Sequence, residues 1–430
     1  MKILIVSSYF PPENTIAALR PYSWAKWWSK VGHEVTVITT KKKKMAYDLN
    51  FDCSGFNVIS LPIPFLSNAS SLYRNSSVKS KKNFSKLLLS FLKKSCLFFA
   101  GKTGCFFFCR FPDFHDLWAR YAIKEISGLF FDLVISTGWP YSVHRIGLAI
   151  KKKNPETKWI VDWRDLWTHN HMHKGLKIFW FYERYLENKF HDNANLITTV
   201  SEPLADKLKS MTRTDVEVIY NGYDSDDYID IKQKPRKNNE PFTIVYTGKI
   251  FYKGYQDPSP LFEAVSNLKR KKILIENALK LVFAGSGSDT NALVKKYNIS
   301  EYYSYLGFLP RKDALQLQYD ADAVLLLEFN HPSVSGILTG KLFEYLYIAR
   351  EIIAIGKNEI TSAGKLINNA NAGICFGSDV RKIEEYLINK IGNKKAGLNV
   401  EKNEILIKKF ERKKQAMKIL ECLDKRYNSI

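Results

Sequence analysis

Ser335-Gly336-Ile337-Leu338-Thr339-Gly340-Lys341-Leu342-Phe343-Glu344-Tyr345-Leu346 runs small residues and one lysine into an amphipathic helix with a glutamate in its first turns. Backbone N–H groups at a helix N-terminus, reinforced by the positive end of the helix dipole, bind phosphate oxygens, and a carboxylate about one turn further on accepts hydrogen bonds from ribose hydroxyls. The amides around Thr339 and Gly340, the ammonium of Lys341 and the carboxylate of Glu344 are therefore candidates to hold a nucleotide diphosphate. An ordinary loop-to-helix junction can look the same, so the segment takes its meaning from its companions.

Those companions lie in other loops. Thr247-Gly248-Lys249, with Lys253-Gly254 close behind, follows an apolar strand and supplies two cations. Lys249 and Lys253 can bind a diphosphate and stabilise the charge it gains on leaving; the alternative is a pair of solvated surface lysines. Ala284-Gly285-Ser286-Gly287-Ser288 is a strand-to-helix turn that lets a ligand approach the backbone closely. Earlier in the chain, Val161-Asp162-Trp163-Arg164-Asp165-Leu166-Trp167 places carboxylates and a guanidinium at a strand end. There Asp165 can orient a substrate hydroxyl, and Arg164 can contact a phosphate or fix the aspartate; a structural ion pair is the competing reading. The loop Thr137-Gly138-Trp139-Pro140-Tyr141-Ser142-Val143-His144 offers helix N-terminal amides and His144. His169, His171 and His173 alternate in a loop without partner carboxylates and read as a surface cluster, so no metal site is expected.

The elements that must position these groups alternate strand and helix. Ile3-Leu4-Ile5-Val6, a helix over Ala17–Val31 ended by Gly32, and Glu34-Val35-Thr36-Val37-Ile38 make a βαβ start. Strands follow at Phe131–Ser136, Trp159–Asp162 and Leu196–Val200, then, past a polar, aperiodic stretch from Asp226 to Glu240 that reads as an interdomain linker, at Phe242–Tyr246, Leu279–Ala284, Tyr303–Leu306, Ala323–Leu327 and Ile352–Ile355. Such alternation predicts an α/β chain with two Rossmann-like domains facing each other across a cleft, over 1–225 and 241–402, and one long charged helix over Asn403–Tyr427 in the last segment, 403–430. Pro21 falls near the first turn of its helix, where a missing N–H is tolerated.

With 430 residues and 45% hydrophobic content the chain is long enough for two cores. Its six cysteines follow no framework or ligand spacing, which predicts a reducing, cytoplasmic compartment, and the N-terminus does not read as a signal peptide. The net charge of +22 is concentrated: from Cys53 to Pro112 there is no Asp or Glu, while lysines interleave with leucines and phenylalanines. That pattern predicts a basic amphipathic insert near 65–110 on an anionic membrane surface, the alternative being a basic helix packed on its own domain; its apolar runs are too short to span a bilayer. Without a recognised binding module, nucleic acid is not the expected partner.

Taken in order, the segments resemble the retaining glycosyltransferases of family 4, which have the GT-B fold. The resemblance rests on Tyr9-Phe10-Pro11-Pro12-Glu13, Gly32-His33-Glu34-Val35-Thr36-Val37, Val200-Ser201-Glu202-Pro203, Ile219-Tyr220-Asn221-Gly222-Tyr223-Asp224, Gly248-Lys249, Lys253-Gly254, Gly285-Ser286-Gly287, Gly307-Phe308-Leu309-Pro310 and Lys341-Leu342-Phe343-Glu344. It implies a nucleotide-sugar donor held by the second domain: Lys249 and Lys253 on the diphosphate, Glu344 on the ribose, amides around Thr339 and Gly340 on the phosphates, Phe308 and Leu309 beside the nucleobase. It also implies that the first domain receives the acceptor. Three positions depart from the pattern. Gly336 stands where relatives often carry a first glutamate, so the sugar-facing carboxylate is missing or comes from elsewhere. Asn14-Thr15-Ile16-Ala17 replaces paired glycines, with Arg20 as a possible phosphate contact, and Arg164 and Asp165 occupy the place of a histidine common in relatives.

The sequence thus reads as a nucleotide-sugar-dependent glycosyltransferase acting, without a required metal, on a lipid-linked or other membrane-associated glycan acceptor in surface polysaccharide synthesis. It would sit on the inner face of the cell membrane. A sugar-nucleotide epimerase of similar fold and a non-catalytic membrane-bound sugar-nucleotide-binding protein are the rival readings.

Overall fold

The computed structural model describes residues 1–42, 48–64, 101–106, 109–170, 173–232, 240–250, 255–285, 290–329, 336–348, 350–357, 361–392 and 401–427. Most of the basic insert expected near 65–110, together with Lys253, Gly287 and His171, lies outside the described residues. The chain divides into two compact units, one made of Met1–Tyr220 with Ala416–Ile430 and the other of Asn221–Gln415.

The strands of the first unit are β1 (Lys2–Ser7), β2 (Glu34–Thr40), β3 (Asn57–Leu61), β4 (Cys105–Phe106), β5 (Arg110–Asp113), β6 (Leu133–Thr137), β7 (Lys158–Trp163), β8 (Leu196–Thr199) and β9 (Val216–Val218). All but β4 and β5 form one parallel sheet in the order β3-β2-β1-β6-β7-β8-β9. Ile3 registers with Val35 on one side and Leu133 on the other. Ile3, Leu4, Ile5 and Val6 are all fully buried, as expected of a parallel strand covered on both faces. The helix Ile16–Lys30 covers one face with Trp24 and Trp28, and Gly32 ends it in a left-handed turn in which His33 N donates to Trp28 O at 3.1 Å.

The second unit holds β10 (Phe242–Thr247), β11 (Leu279–Ala284), β12 (Tyr303–Tyr305), β13 (Ala323–Leu327), β14 (Glu351–Ile355) and β15 (Gly373–Gly377), again parallel, in the order β12-β11-β10-β13-β14-β15. Both units are the Rossmann-like layers that the alternating pattern predicts. The sequence reading misses β3, β9 and β15, at the sheet edges, and the short β4 and β5, which pair only with each other; β3 is mostly exposed or half-buried, β9 is three residues long, and β15 begins and ends on glycine.

Two expectations about the connections need correction. The single helix expected over Asn403–Tyr427 is two helices, Glu404–Lys408 and Arg412–Tyr427. Between them Phe410 O accepts from Tyr223 N at 3.1 Å and Arg412 N donates to Tyr223 O at 2.8 Å, so the backbone there pairs with another segment and cannot stay helical. Gly222 permits this close approach: a Cβ on it would lie 2.3 Å from Phe410 O. The later turns of the last helix bury Ala416, Ile419 and Leu423 in the core of the first unit, where Trp28 Nε1 donates to Ala416 O at 3.0 Å. The polar stretch after Asp226 is also no loose tether along its described part. Asp227 pairs with Arg311 at 2.6 Å, and Gln316 Nε2 donates to Lys232 O at 2.8 Å.

Candidate functional site

In doubly wound sheets ligands bind at the carboxyl ends of the strands, and in the second unit those ends converge on glycines. Gly248, Gly285 and Gly307 have φ of 113°, 121° and 69°. Their turns stack through Gly248 N to Ala284 O and Gly285 N to Gly307 O, both at 2.6 Å. A Cβ on Gly285 would fall 2.4 Å from Gly248 O, so a larger residue is excluded by space as well as by conformation.

Lys341 lies against this stack. A Cβ added to Gly248 would sit 2.7 Å from Lys341 Nζ, which donates to the Tyr246 hydroxyl at 2.8 Å and lies 4.4 Å from the centre of that ring. Burial lowers the pKa of Lys341 below the ordinary lysine value, with Tyr345 and Glu344 acting in the opposite sense. The Tyr246 hydroxyl in turn donates to Lys249 O at 2.9 Å, which ties the turn after β10 to the helix Gly340–Tyr347. Thr339 caps that helix in an extended conformation without a side-chain cap bond, and its Oγ1 is buried and unpartnered. The amides of Gly340 and Lys341 precede the first helical hydrogen bond, from Leu342 N to Thr339 O at 3.1 Å, and are therefore open to an external acceptor.

Glu344 faces a guanidinium. Its Oε1 accepts from Arg311 Nη2 at 3.0 Å, and the same nitrogen donates to Asp227 Oδ2 at 2.6 Å, with Arg412 Nη1 3.4 Å from that oxygen. Burial works against the charge on Arg311, but Glu344 and Asp227 outweigh it and raise its pKa. Glu344 Oε2 makes no hydrogen bond to a described residue. Arg311 was not among the residues singled out from sequence, although it directly follows Gly307-Phe308-Leu309-Pro310. Of the residues assigned to the nucleobase, Phe308 is exposed and Leu309 half-buried; Lys249 is exposed. The structure therefore brings Thr339, Gly340, Lys341 and Glu344 together with Gly248. Gly336, in place of a first glutamate, adopts a left-handed φ of 88°.

In the first unit the expected edge groups separate into two sets. Asp162 is fully buried and bound on both oxygens. Arg20 Nη2 and Thr198 Oγ1 donate to Oδ1 at 2.7 and 2.6 Å, while Arg20 Nε and Thr137 Oγ1 donate to Oδ2 at 3.1 and 2.7 Å. Burial raises the carboxyl's pKa, but Arg20 and the two hydroxyls overcome it and hold the group below its usual range. Arg20 Nη1 is also spent, on Ile219 O at 2.7 Å and Tyr220 O at 3.1 Å, so Arg20 is a structural anchor and not a phosphate contact. His144 is likewise enclosed: its Nδ1 lies 2.8 Å from Ser136 Oγ, and burial pushes its pKa down to about 3, which makes it a neutral core group instead of an accessible one.

Arg164 and Asp165 form the second set. Arg164 Nε donates to Gly138 O at 2.5 Å and Nη1 to Ala17 O at 3.2 Å, joining the loops after β6 and β7 to the first helix. Its guanidinium is 5.6 Å from the Tyr9 ring centre, and burial lowers its pKa. Asp165 is half-buried and makes no hydrogen bond or ion pair with a described residue. Around the same strand ends Thr15 Oγ1, Trp139 Nε1, Ser142 Oγ, Thr199 Oγ1 and Ser201 Oγ are buried without partners among the described residues. Unsatisfied polar atoms are scarce in native interiors, and their gathering at one sheet edge marks a place for a polar ligand or water. A separate cavity of about 530 Å³ lies at the opposite, amino ends of β1, β6 and β7, lined by Met1, Asp132, Lys158 and Leu420, where this fold does not place its ligands. Among the described residues no group of three His, Cys, Asp or Glu side chains is poised for a metal.

Residues 100–227 match the family model for Glycosyltransferase Family 4. No curated protein matches the chain in sequence. Among solved structures, sucrose-phosphate synthase from Thermosynechococcus elongatus is similar at 11% identity and a TM-score of 0.61, covering all of both chains. Anabaena HepE in complex with UDP-glucose is similar at 12% identity and 0.60, covering 99% of this chain and 100% of that one. A putative UDP-N-acetylglucosamine 2-epimerase from Listeria monocytogenes, at 10% identity and 0.52, covers 100% and 97%. At such identities the likeness establishes the fold, the GT-B fold of two Rossmann-like units, and the match to the Glycosyltransferase Family 4 model is confined to residues 100–227.

Proposed function

We propose that the enzyme is a retaining glycosyltransferase that moves a sugar from a nucleotide-sugar donor to a lipid-linked or otherwise membrane-associated glycan, in surface polysaccharide synthesis at the inner face of the cell membrane. The observation that carries the donor part is Lys341 packed on the Gly248 turn at the start of the helix that bears Glu344. In this reading the amides around Thr339 and Gly340 and the ammonium groups of Lys341, Lys249 and Lys253 hold the diphosphate. Glu344, braced by Arg311 through Oε1, receives the ribose on Oε2, and Phe308 and Leu309 border the base. The first unit receives the acceptor. Asp165 orients the acceptor hydroxyl, Arg164 fixes the loop that carries it, and Lys253 stabilises the leaving diphosphate. A donor phosphate oxygen helps remove the acceptor proton, so the protein's contribution is positioning and charge stabilisation. HepE, a structural relative, is captured with UDP-glucose, which supports a uridine nucleotide as the first donor to try.

An epimerase reading shares the fold with the Listeria relative but needs no acceptor. Incubating the purified protein with a panel of nucleotide sugars, with and without membrane lipid extract, separates the two. Nucleotide release that requires the extract is the expected result. Epimerised donor formed without it, or no turnover of any donor with bound nucleotide, would overturn the proposal.

A further inference from the structure

The segment Leu176–Tyr185 breaks the rule that a surface helix hides its apolar side chains. The helix Trp180–Asn193 already has an inner face, with Glu183, Leu186, Glu187 and Phe190 buried. Yet its first turns and the 3-10 turn before it also turn apolar groups outward: Ile178 is 80% exposed, Trp180 44%, Phe181 86% and Tyr185 53%. Phe181 and Tyr185 are one turn apart on the outer face, and Ile178 lies a turn before them. Trp180 is held in place, because its Nε1 donates to Lys174 O at 2.8 Å, and the neighbouring Tyr182 ring packs 4.7 Å from that of Phe111.

The exposed charges along this segment have one sign. Between His173 and Phe190 both acids, Glu183 and Glu187, point inward, Glu183 to Arg110 and Glu187 to Thr168. Every exposed charge there is basic: Lys174, Lys177 and Arg184. Aromatic and branched side chains interspersed along one segment with exposed cations match the headgroup layer of an anionic bilayer, where apolar groups enter the acyl boundary and cations stay with the phosphates. The acid-free stretch of the sequence rejoins the described chain beside this patch, since Gly175 N donates to Thr103 O at 3.0 Å. We infer that Ile178, Trp180, Phe181 and Tyr185 with Lys174, Lys177 and Arg184 form a docking surface for an anionic lipid bilayer. This deepens the proposed membrane-associated acceptor and rests on that reading for its purpose, but its geometry is independent of the donor site.

The test uses the full chain and vesicles of phosphatidylcholine with and without phosphatidylglycerol. The protein should sediment with the anionic vesicles and be released as salt rises. Trp180 should be quenched by brominated acyl chains, and Trp180→Phe should remove most of that quenching. The pair Ile178→Asp with Phe181→Asp should weaken vesicle partitioning by about tenfold or more, since each replaces an exposed apolar group by a repelled charge. Both side chains are largely in solvent, so the melting temperature and transfer to a soluble acceptor analogue should not change. Equal sedimentation of parent and double variant, or no quenching in the parent, overturns the inference while leaving the transferase reading intact. Vesicle-independent dimerisation by light scattering that the double variant abolishes assigns the patch to a second copy and also overturns it. Loss of all transfer by a parent that still binds vesicles strikes the transferase reading instead.

Discussion

Each unit buries a guanidinium–carboxylate network among the loops around its sheet, and the two are finished differently. In the first, Arg20 and Asp162 are 2% and 0% exposed, and every oxygen of Asp162 is taken by Arg20, Thr137 or Thr198. In the second, Arg311 reaches both Asp227 and Glu344, and Glu344 keeps one oxygen without a partner among the described residues. A closed network can only hold the fold together. One left open on the side of a helix N-terminus and a cationic turn can also take a ligand. The same residue types thus divide into scaffold and site according to how many acceptor positions the fold leaves unfilled.

The largest effect should come from breaking the closed network. Asp162→Ala leaves Arg20 charged in the core and two threonine hydroxyls without an acceptor, which costs about 3–5 kcal/mol for an uncompensated buried charge. Denaturant unfolding followed by circular dichroism should show that loss, with activity falling only as far as the folded fraction falls. A variant that melts like the parent but no longer transfers sugar would move Asp162 from scaffold to site. The pH dependence gives an independent check. The folded-state pKa of Asp162 lies below the unfolded value, so its stabilisation is present above the ordinary carboxylate pKa and is lost as pH falls through the folded value. The acid limb of the parent's stability curve should therefore be steeper than the variant's.

Opening the other network should spare the fold and damage the chemistry. In Glu344→Ala, Arg311 retains Asp227, so the melting temperature should move little. Losing one preorganised contact to the bound donor should lower kcat/KM by about a hundredfold. Steady-state kinetics beside a thermal melt measures both. A large melting loss with proportionate loss of rate would make Glu344 a second scaffold residue and erase the contrast between the units.

How far the sequence could be read follows from the same division. The helix start at Gly340 and the glycine turns at Gly248 and Gly285 were legible because their chemistry is local: small residues, a strand before, a helix after. Central strands were legible as continuous apolar runs; β3 and β15 were not, because they are partly exposed and lose that pattern, and β9 was not, because it is only three residues long. Arg20 with Asp162, 142 positions apart, and Arg311 with Glu344 and Asp227 are non-local pairings. Nothing in the spacing of Asp162 and Arg164 tells that the first is locked to a distant helix while the second clamps two backbone carbonyls. The break at Phe410 is of the same kind, since its cause is Tyr223.

The smallest effect sharpens the comparison most, because it concerns protonation and leaves the fold alone. Burial holds the pKa of Lys341 below the ordinary lysine value in the free protein. A diphosphate placed over Gly248 brings negative charge to that ammonium and raises its pKa, so binding favours the protonated form. Nucleotide diphosphate affinity should therefore fall as pH rises through the depressed value of the free protein, approaching about one decade per pH unit where Lys341 is deprotonated when free and protonated when bound. Lys341→Met keeps the length of the side chain against Tyr246 but has no proton to lose. It should bind the diphosphate about tenfold more weakly at neutral pH, on the order of 1.4 kcal/mol, and its affinity should be level across the alkaline range. Calorimetry with a nucleoside diphosphate from neutral to alkaline pH reads both. The same alkaline slope in parent and variant would show that another group titrates, and would take Lys341 out of the site while leaving it packed on the glycine turn.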